Sequence, residues 1–313
     1  VAKQKRKYRW LRRSLRIIIT LIVLFIIGCF IFDHYVQFRR SDEELKRIFV
    51  EQNIDASIHY YSTQGRTLRY VSAGNDSLPV LLMLHGSPGS ISYYSRRFSD
   101  STIKNKFRFY AVDRPGYGYS GFGDPEPSIQ KQSEMIRPIL DSLNKANHPI
   151  IIMGGSYGAS VACRLAMDHP ELVDGLVLTG PSLAPGKEKY FWFTNIIEHW
   201  SIRWFIPRLF KSANTEKVHH KEELEKMLPY WKNIHVPVAY LQGESDDIID
   251  TTNASFARKQ LVNVPWLDIQ FIKNRYHRLA QFEWPAIRES ILKVYDRVKN
   301  DSVSNYKKNP ATL

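Results

Sequence analysis

Ile150-Ile151-Ile152-Met153-Gly154-Gly155-Ser156-Tyr157-Gly158, leading into a helix-compatible run from Ala159 to Asp168, is the stretch on which the fold turns. An apolar run, a glycine-flanked serine and a helix in succession place the serine on a sharp strand-to-helix turn, the context that gives G-x-S-x-G its chemical meaning. The turn strains the serine backbone, and Gly154 and Gly158 lack the Cβ atoms that would block the close approach of strand and helix. Ser156 Oγ is thereby predicted to stand clear of the sheet. The pentapeptide alone is a weak signal, and its weight comes from its surroundings.

Val80 to Leu84 reads as a buried strand running into His85-Gly86-Ser87-Pro88-Gly89. That loop offers the backbone N–H of Ser87 to an oxyanion, and the N–H of Tyr157 is the natural second donor. Loss of one such donor typically costs about 2.7 to 4 kcal/mol of transition-state stabilisation. A nucleophilic serine needs a general base. Of the chain's ten histidines, only His277 follows Asp246, and the order Ser, acid, His selects it once an acid precedes it. Val236 to Leu241 reads as a strand whose following loop, Gly243-Glu244-Ser245-Asp246-Asp247, supplies that acid. Asp246 is assigned to orient the imidazole and stabilise the imidazolium, with Asp247 as the lesser choice. The preceding strand and loop, Leu176 to Ser182, carry no acid. His277 itself follows the strand-like Leu267 to Ile272 and precedes a helix-like stretch from about Gln281 to Val298. Most other histidines, including His219 and His220 in a charged segment, read as surface residues, and Cys163 as a small core residue.

Taken together, His85 to Gly89, Asp113-Arg114-Pro115-Gly116-Tyr117-Gly118-Tyr119-Ser120, Gly154 to Gly158, Gly243 to Asp246 and His277 resemble the α/β-hydrolase superfamily over roughly Ile58 to Val298. The resemblance implies a mostly parallel sheet with helices on both faces and a serine hydrolase working through an acyl-enzyme. The motifs around His85 and Ser156 look most like proline iminopeptidases and related carboxylic-ester hydrolases. Those aminopeptidases typically carry a double glycine after the histidine, Trp after the nucleophile and an Asp-Gln-Arg-Gly loop. This chain has Ser87, Tyr157 and Asp113-Arg114-Pro115 instead, which shifts the expectation from peptide to ester. An aminopeptidase would also need an acid for the substrate amine, with Glu188, Glu198 and Glu216 as candidates. Epoxide hydrolases and haloalkane dehalogenases share an HGxP-like loop but use an aspartate nucleophile, where this chain has Ser156. Arg275-Tyr276 precede His277, where the family often has glycine.

Independently of the resemblance, strand candidates alternate with stretches long enough for crossovers, as in a doubly wound sheet. They lie at Val80 to Leu84, Phe107 to Val112, Ile150 to Met153, Val173 to Thr179, Val236 to Gln242 and Leu267 to Ile272. Ile58 to Tyr61 and Thr67 to Val71 flank Gln64-Gly65-Arg66 and read as a hairpin. The candidate residues all fall at carboxyl ends of strands, where open α/β sheets bind ligands. The long connection after the sixth strand is predicted to form a small helical cap at about 185–234, within a hydrolase domain of 58–299. Its aromatics, Tyr190-Phe191-Trp192-Phe193, Trp200, Trp204-Phe205, Phe210 and Tyr230-Trp231, divide between packing and the wall of an apolar substrate site. The basic residues Lys187, Lys189, Arg203, Arg208 and Lys211 read first as a solvated face, with steering of an anionic substrate or contact with lipid head groups as the alternatives.

The amino-terminal segment is separate in character. Residues 1–16 hold eight Lys and Arg and no acid, against a net charge of +13 for the whole chain, so most of the basic excess is local. A nucleic-acid partner is a poor reading of such a charge. The apolar run Ile17 to Phe32 is slightly short of the roughly 20 residues that span a bilayer, and Leu15, a snorkelling Arg16 and Tyr35 to Phe38 extend it. The expectation is a membrane anchor over 17–38, with 1–16 cytoplasmic and the catalytic domain on the outer, periplasmic or extracellular side. A cleaved signal lacks a clear small-x-small site. Ile26-Ile27-Gly28-Cys29 resembles a lipoprotein box with Cys29 as the lipidated residue, but Phe30-Ile31-Phe32 continues the apolar run past it. Ser41-Asp42-Glu43-Glu44 is a capping box opening a short helix within a linker at 39–57. The polar stretch 300–313 reads as a disordered tail.

No metal-ligand cluster of sensible spacing and no cofactor motif occurs, so no cofactor is expected. The sequence therefore points to a membrane-anchored serine hydrolase of a carboxylic ester. Its alternatives are a proline iminopeptidase-like aminopeptidase and a non-catalytic binding module on the same fold. The partners expected are a small-molecule ester or amide and, through the anchor, membrane lipid.

Overall fold

The computed structural model describes residues 2–144 and 148–308, with side chains over 8–143 and 148–300. Eight strands form one sheet: β1 (Ala56–Thr63), β2 (Arg66–Ala73), β3 (Val80–Leu84), β4 (Arg108–Val112), β5 (Ile150–Gly155), β6 (Gly175–Thr179), β7 (Val238–Gly243) and β8 (Leu267–Ile272). Their order is β1-β2-β4-β3-β5-β6-β7-β8. β2 runs antiparallel to β1 and β4, and every other pairing is parallel. The β1–β2 hairpin closes through Gln64 and Gly65, both at positive φ (47° and 75°), the conformation that matches a two-residue turn to the twist of its strands.

The central strands are buried on both faces, as parallel strands covered by helices must be. Side chains alternate along β3: Val80, Leu82 and Leu84 enter one core with α3 (Ile129–Asn144) and α4 (Tyr157–Asp168). Leu81 and Met83 enter the other with α7 (Trp284–Lys308). Helix α2 (Asp42–Glu51) belongs to this second core, because Leu45 and Phe49 are buried there. Its capping box is formed: Ser41 Oγ accepts from Glu44 N–H, and Ser41 N–H donates to Glu44 Oε2. The segment 39–57 is thus an integral layer of the domain rather than a linker.

Two other boundaries also differ from the sequence reading. Helix α1 runs from Ala2 to Tyr35 and so takes in the basic segment as well as the apolar one, since Arg and Lys are good helix formers. Helix α7 continues to Lys308, into the stretch read as a tail; 309–313 lie outside the described residues. Over Tyr8–Tyr35, α1 is long and apolar enough to cross a membrane.

Between β6 and β7 the chain forms the cap, with α5 (Thr194–Glu198), α6 (Arg208–Met227) and two short 3-10 turns. A backbone bridge between Glu188 and Ile249 ties the start of the cap to the loop after β7. Helix α1 touches the cap as well. Phe25 packs on Phe205 with ring centroids 5.5 Å apart, and Asp33 accepts from the backbone and side chain of Arg208.

Candidate active site

Ser156 sits between β5 and α4 with φ 50° and ψ −120°, a left-handed conformation that a non-glycine residue adopts only when its surroundings impose it. The neighbours that impose it are close. A Cβ at Gly154 would lie 2.6 Å from Ala159 Cα, and one at Gly158 would lie 2.5 Å from the carbonyl oxygens of Leu84 and His85. The strand-to-helix turn closes only with glycine at both positions.

The loops after β7 and β8 bring two further residues to the serine. His277 Nε2 is 2.9 Å from Ser156 Oγ, and His277 Nδ1 is 3.0 and 3.1 Å from the two carboxylate oxygens of Asp246. The Asp246 side chain has no exposed surface, and its Oδ1 accepts the N–H groups of Ile248 and Ile249. Asp247 is exposed, which separates the two neighbours. The carboxylate accepts Nδ1–H, leaving Nε2 as the acceptor that faces the serine hydroxyl. Arg275 and Tyr276 reach this place because Gly243 lets their carbonyls pass, at 2.3 and 2.6 Å from where a Cβ would stand.

The His85 loop lies against the other side of the serine, since a Cβ on Gly86 would stand 3.0 Å from Ser156 Cβ. Tyr157 opens α4, so its N–H has no acceptor within the helix. Ser87 Oγ is engaged with the Tyr117 hydroxyl at 2.8 Å.

A model of the alpha/beta hydrolase fold family matches residues 79–199, the segment from β3 through the Ser156 turn into the cap. The chain has the α/β-hydrolase fold. A bacterial membrane phospholipase A of solved structure superposes with a TM-score of 0.63 at 17% identity, over 91% of this chain and 99% of that one. A 1-acylglycerol-3-phosphate O-acyltransferase of Arabidopsis thaliana is 26% identical over 174 residues, 50% of this chain and 41% of that protein. Epoxide hydrolase 4 of Homo sapiens is 31% identical over 121 residues, 36% of this chain and 31% of that protein. The chain thus spans less than half the length of these two relatives.

Within this hydrolase fold the His85 loop is held by a buried network that sequence reasoning missed. Arg114 donates to the carbonyls of His85 and Gly86, to Gln132 and to both oxygens of Glu216, a residue of the cap helix. Glu216 also accepts from Tyr117 and Gln132. Burial alone would pull the Arg114 pKa down, but the Glu216 carboxylate outweighs it and raises it. Burial, and then the same carboxylate, push the Tyr117 phenol well above its usual value. His85 is driven far below the ordinary histidine range by burial and by Arg114. It is therefore a neutral ring, accepting Arg114 N–H at Nε2 and donating from Nδ1 to Gly86 O.

Ser156 and His277 open onto a cavity of about 640 Å3 whose walls include Phe191, Ile206 and Phe210 of the cap and Phe32 of α1. Three titratable side chains besides His277 and Tyr157, namely Glu188, Lys217 and His220, line it together with Ser182, Thr194 and Asn214. His220 is buried, its ring 4.5 Å from that of Tyr157, so the surface placement read from its charged segment is wrong. Burial, with Lys217 and Arg114 nearby, pushes its pKa down to about 3. Burial raises Glu188 and lowers Lys217, each partly offset by the other's charge. Of the three glutamates weighed as amine anchors, Glu216 is consumed by Arg114, and Glu198 is bonded to Arg203, Asn214 and Thr215. Glu188 alone reaches the cavity, where it accepts from Ser182 Oγ and lies 3.5 Å from His220 Nδ1.

Proposed function

We propose that this chain is a membrane-anchored serine hydrolase that cleaves a carboxylic ester through an acyl-enzyme. The observation that carries the reading is the hydrogen-bonded chain from Asp246 through His277 to a serine held in a strained conformation. In the first half-reaction Ser156 Oγ attacks the ester carbonyl carbon while His277 Nε2 takes its proton, and the imidazolium is stabilised by Asp246. The carbonyl electron pair moves onto oxygen, which the N–H groups of Ser87 and Tyr157 receive. Collapse of this intermediate breaks the bond to the alcohol oxygen, which leaves with the proton from His277. In the second half-reaction water repeats the attack on the acyl-serine, His277 passes its proton to Ser156, and the carboxylic acid departs.

Residue identities favour this over the chemistry of the epoxide hydrolase relatives, because the nucleophile turn carries a serine and not the aspartate that opens an epoxide. Engagement of Glu198 and Glu216 leaves Glu188 as the one candidate of the three for the amine anchor an aminopeptidase needs, and it already accepts from Ser182 Oγ and lies 3.5 Å from His220 Nδ1. The basic residues ahead of the apolar part of α1 support anchoring with the tail cytoplasmic and the hydrolase domain outside. Fluorophosphonate labelling of the full chain in detergent, beside Ser156→Ala and His277→Ala, tests the chemistry, and a screen of short and long acyl esters follows it. Labelling that disappears in both variants is the expected result; a folded wild-type chain that never labels refutes the mechanism. Alkaline extraction of membranes and protease accessibility from each side test the anchor and its orientation.

A further inference from the structure

Two cavities meet at Ser156, and their chemistry differs. The one walled by Phe191, Ile206 and Phe210 is mostly apolar, with Glu188, Lys217 and His220 as its titratable side chains away from His277 and Tyr157. The second, of about 800 Å3, also touches Ser156, Ser87 and His277, and extends past Arg39, Arg40, Tyr93 and Arg278. Three arginines and, among the described residues, no Asp or Glu line it.

The three guanidinium groups are not equally committed. Arg39 donates to Gln37 Oε1 and Gly118 O, both at 2.8 Å, and lies over the rings of Tyr119 and Phe122. Arg40 is fixed by its backbone, whose N–H donates to Ser92 Oγ and whose carbonyl accepts from Arg69. Its side chain donates to the Ser95 hydroxyl at 3.2 Å, a neutral partner. Arg278 follows His277 directly, is exposed, and lies near enough to the Tyr93 phenol to oppose the upward push that burial gives it. Two guanidinium forks thus flank the reacting serine without a carboxylate to neutralise them. Guanidinium groups in that state bind oxyanions in preference to neutral groups.

We infer that the ester cleaved here is an anionic amphiphile: its apolar chain occupies the cavity walled by Phe191, Ile206 and Phe210, and an oxyanion such as a phosphate on its other arm is held by Arg40 and Arg278. The inference rests on Ser156 being the ester nucleophile, as proposed above. The end of α1 and the residues that follow it contribute one to each arm, with Phe32 of α1 in the apolar cavity and Arg39-Arg40, just past the helix, in the basic one. An amphiphile spanning the two therefore lies across the point where the apolar helix stops.

The test uses the full chain in mixed micelles of a fixed neutral detergent, with monooleoyl glycerol and its 3-phosphate as probes that differ by the phosphate alone. Wild type is expected to favour the phosphate ester at least tenfold in kcat/KM, with the preference shrinking as salt is added. In the Arg40→Gln/Arg278→Gln double variant that ratio falls toward one, mainly through KM, while Arg278→Lys retains part of it. Competition binding to Ser156→Ala measures the same preference without cleavage. It therefore separates the two ideas: a chain that cleaves neither ester but binds the phosphate form tenfold better keeps the oxyanion site at Arg40 and Arg278 and loses the hydrolytic reading. A binding ratio near one in Ser156→Ala, or a preference unchanged in the double variant, overturns the inference.

Discussion

Asp246→Asn tests the buried acid more sharply than any deletion. Asp246 Oδ1 accepts two backbone N–H groups, at 3.0 and 2.9 Å, and Oδ2 is 3.0 Å from His277 Nδ1. Asparagine offers one acceptor and one donor at these places. Its oxygen must face Ile248 and Ile249, because the reverse orientation would set an NH2 group against two N–H groups in a site where the side chain has no exposed surface. The amide nitrogen then points at His277 Nδ1, which becomes an acceptor, and the imidazole proton moves to Nε2. A ring protonated at Nε2 donates to Ser156 Oγ and cannot take its proton. In serine proteases the equivalent tautomer error costs about 10⁴-fold in kcat, or about 5.4 kcal/mol at 1.36 kcal/mol per decade. The expected outcome is a loss of that order in both ester turnover and fluorophosphonate labelling. The melting temperature should stay within about 2 °C of wild type, because volume and both backbone bonds persist. Asp247→Asn, at an exposed position, is the matched control and should fall within about twofold. A folded Asp246→Asn chain that keeps more than a tenth of its wild-type turnover would refute the assigned role.

Three further outcomes are expected. Glu216→Gln leaves the fully buried Arg114 without its counter-charge, a change that costs about 3 to 5 kcal/mol. It should lower the melting temperature by about 6 to 20 °C for a domain of this size; an unshifted melt would remove the network from the account of how the His85 loop is held. Leu45→Ala in α2 should destabilise the chain by about 2 to 5 kcal/mol in urea unfolding, whereas a linker segment would give no change. His220→Gln should flatten the acid side of the stability profile. The folded pKa of His220 lies near 3, below the unfolded value of 6.5, so the unfolded chain binds the extra proton and stability is lost as pH falls from 6.5 toward 3. Between pH 7 and pH 5 wild type should lose about 2 kcal/mol more than the variant, and parallel profiles would contradict the placement of this ring.

Much of this architecture was legible because its signals are local. β3, β5, β6 and β7 are short apolar runs closed by glycine or polar residues, and all are buried throughout. The Ser156 turn is legible for the same reason, since a side chain at 154 or 158 would collide with Ala159 or with the carbonyls of Leu84 and His85. Helix α2 is legible as a helix but not as core. Its inward residues Leu45, Ile48 and Phe49 follow helical spacing, yet they stand among charges in ten residues, too few for the stripe to declare itself. The contact of α1 with the cap, through Phe25 and Asp33, joins residues some 175 positions apart and leaves no mark on either segment.

The candidate site divides along the same line. Ser156, Asp246 and His277 follow from chain order and from loops at strand ends, which is positional information. Glu216 and His220 do not, although they too lie on a regular pattern. Leu209, Ser212, Glu216, His220, Glu223 and Met227 recur every three or four residues and form the buried stripe of α6. Four of the six are polar, so a search for apolar periodicity passes over them. A buried polar residue is tolerable only where a partner meets it, and the partners of this stripe come from the core domain: Arg114 for Glu216, Ser160 and Tyr157 for His220, and Ile129 N–H for Glu223. The cap is therefore bound to the sheet through hydrogen bonds as much as through apolar contact. That binding reaches the His85 loop by way of Arg114 and Tyr117, so a displacement of α6 is carried directly to the loop proposed to donate to the oxyanion.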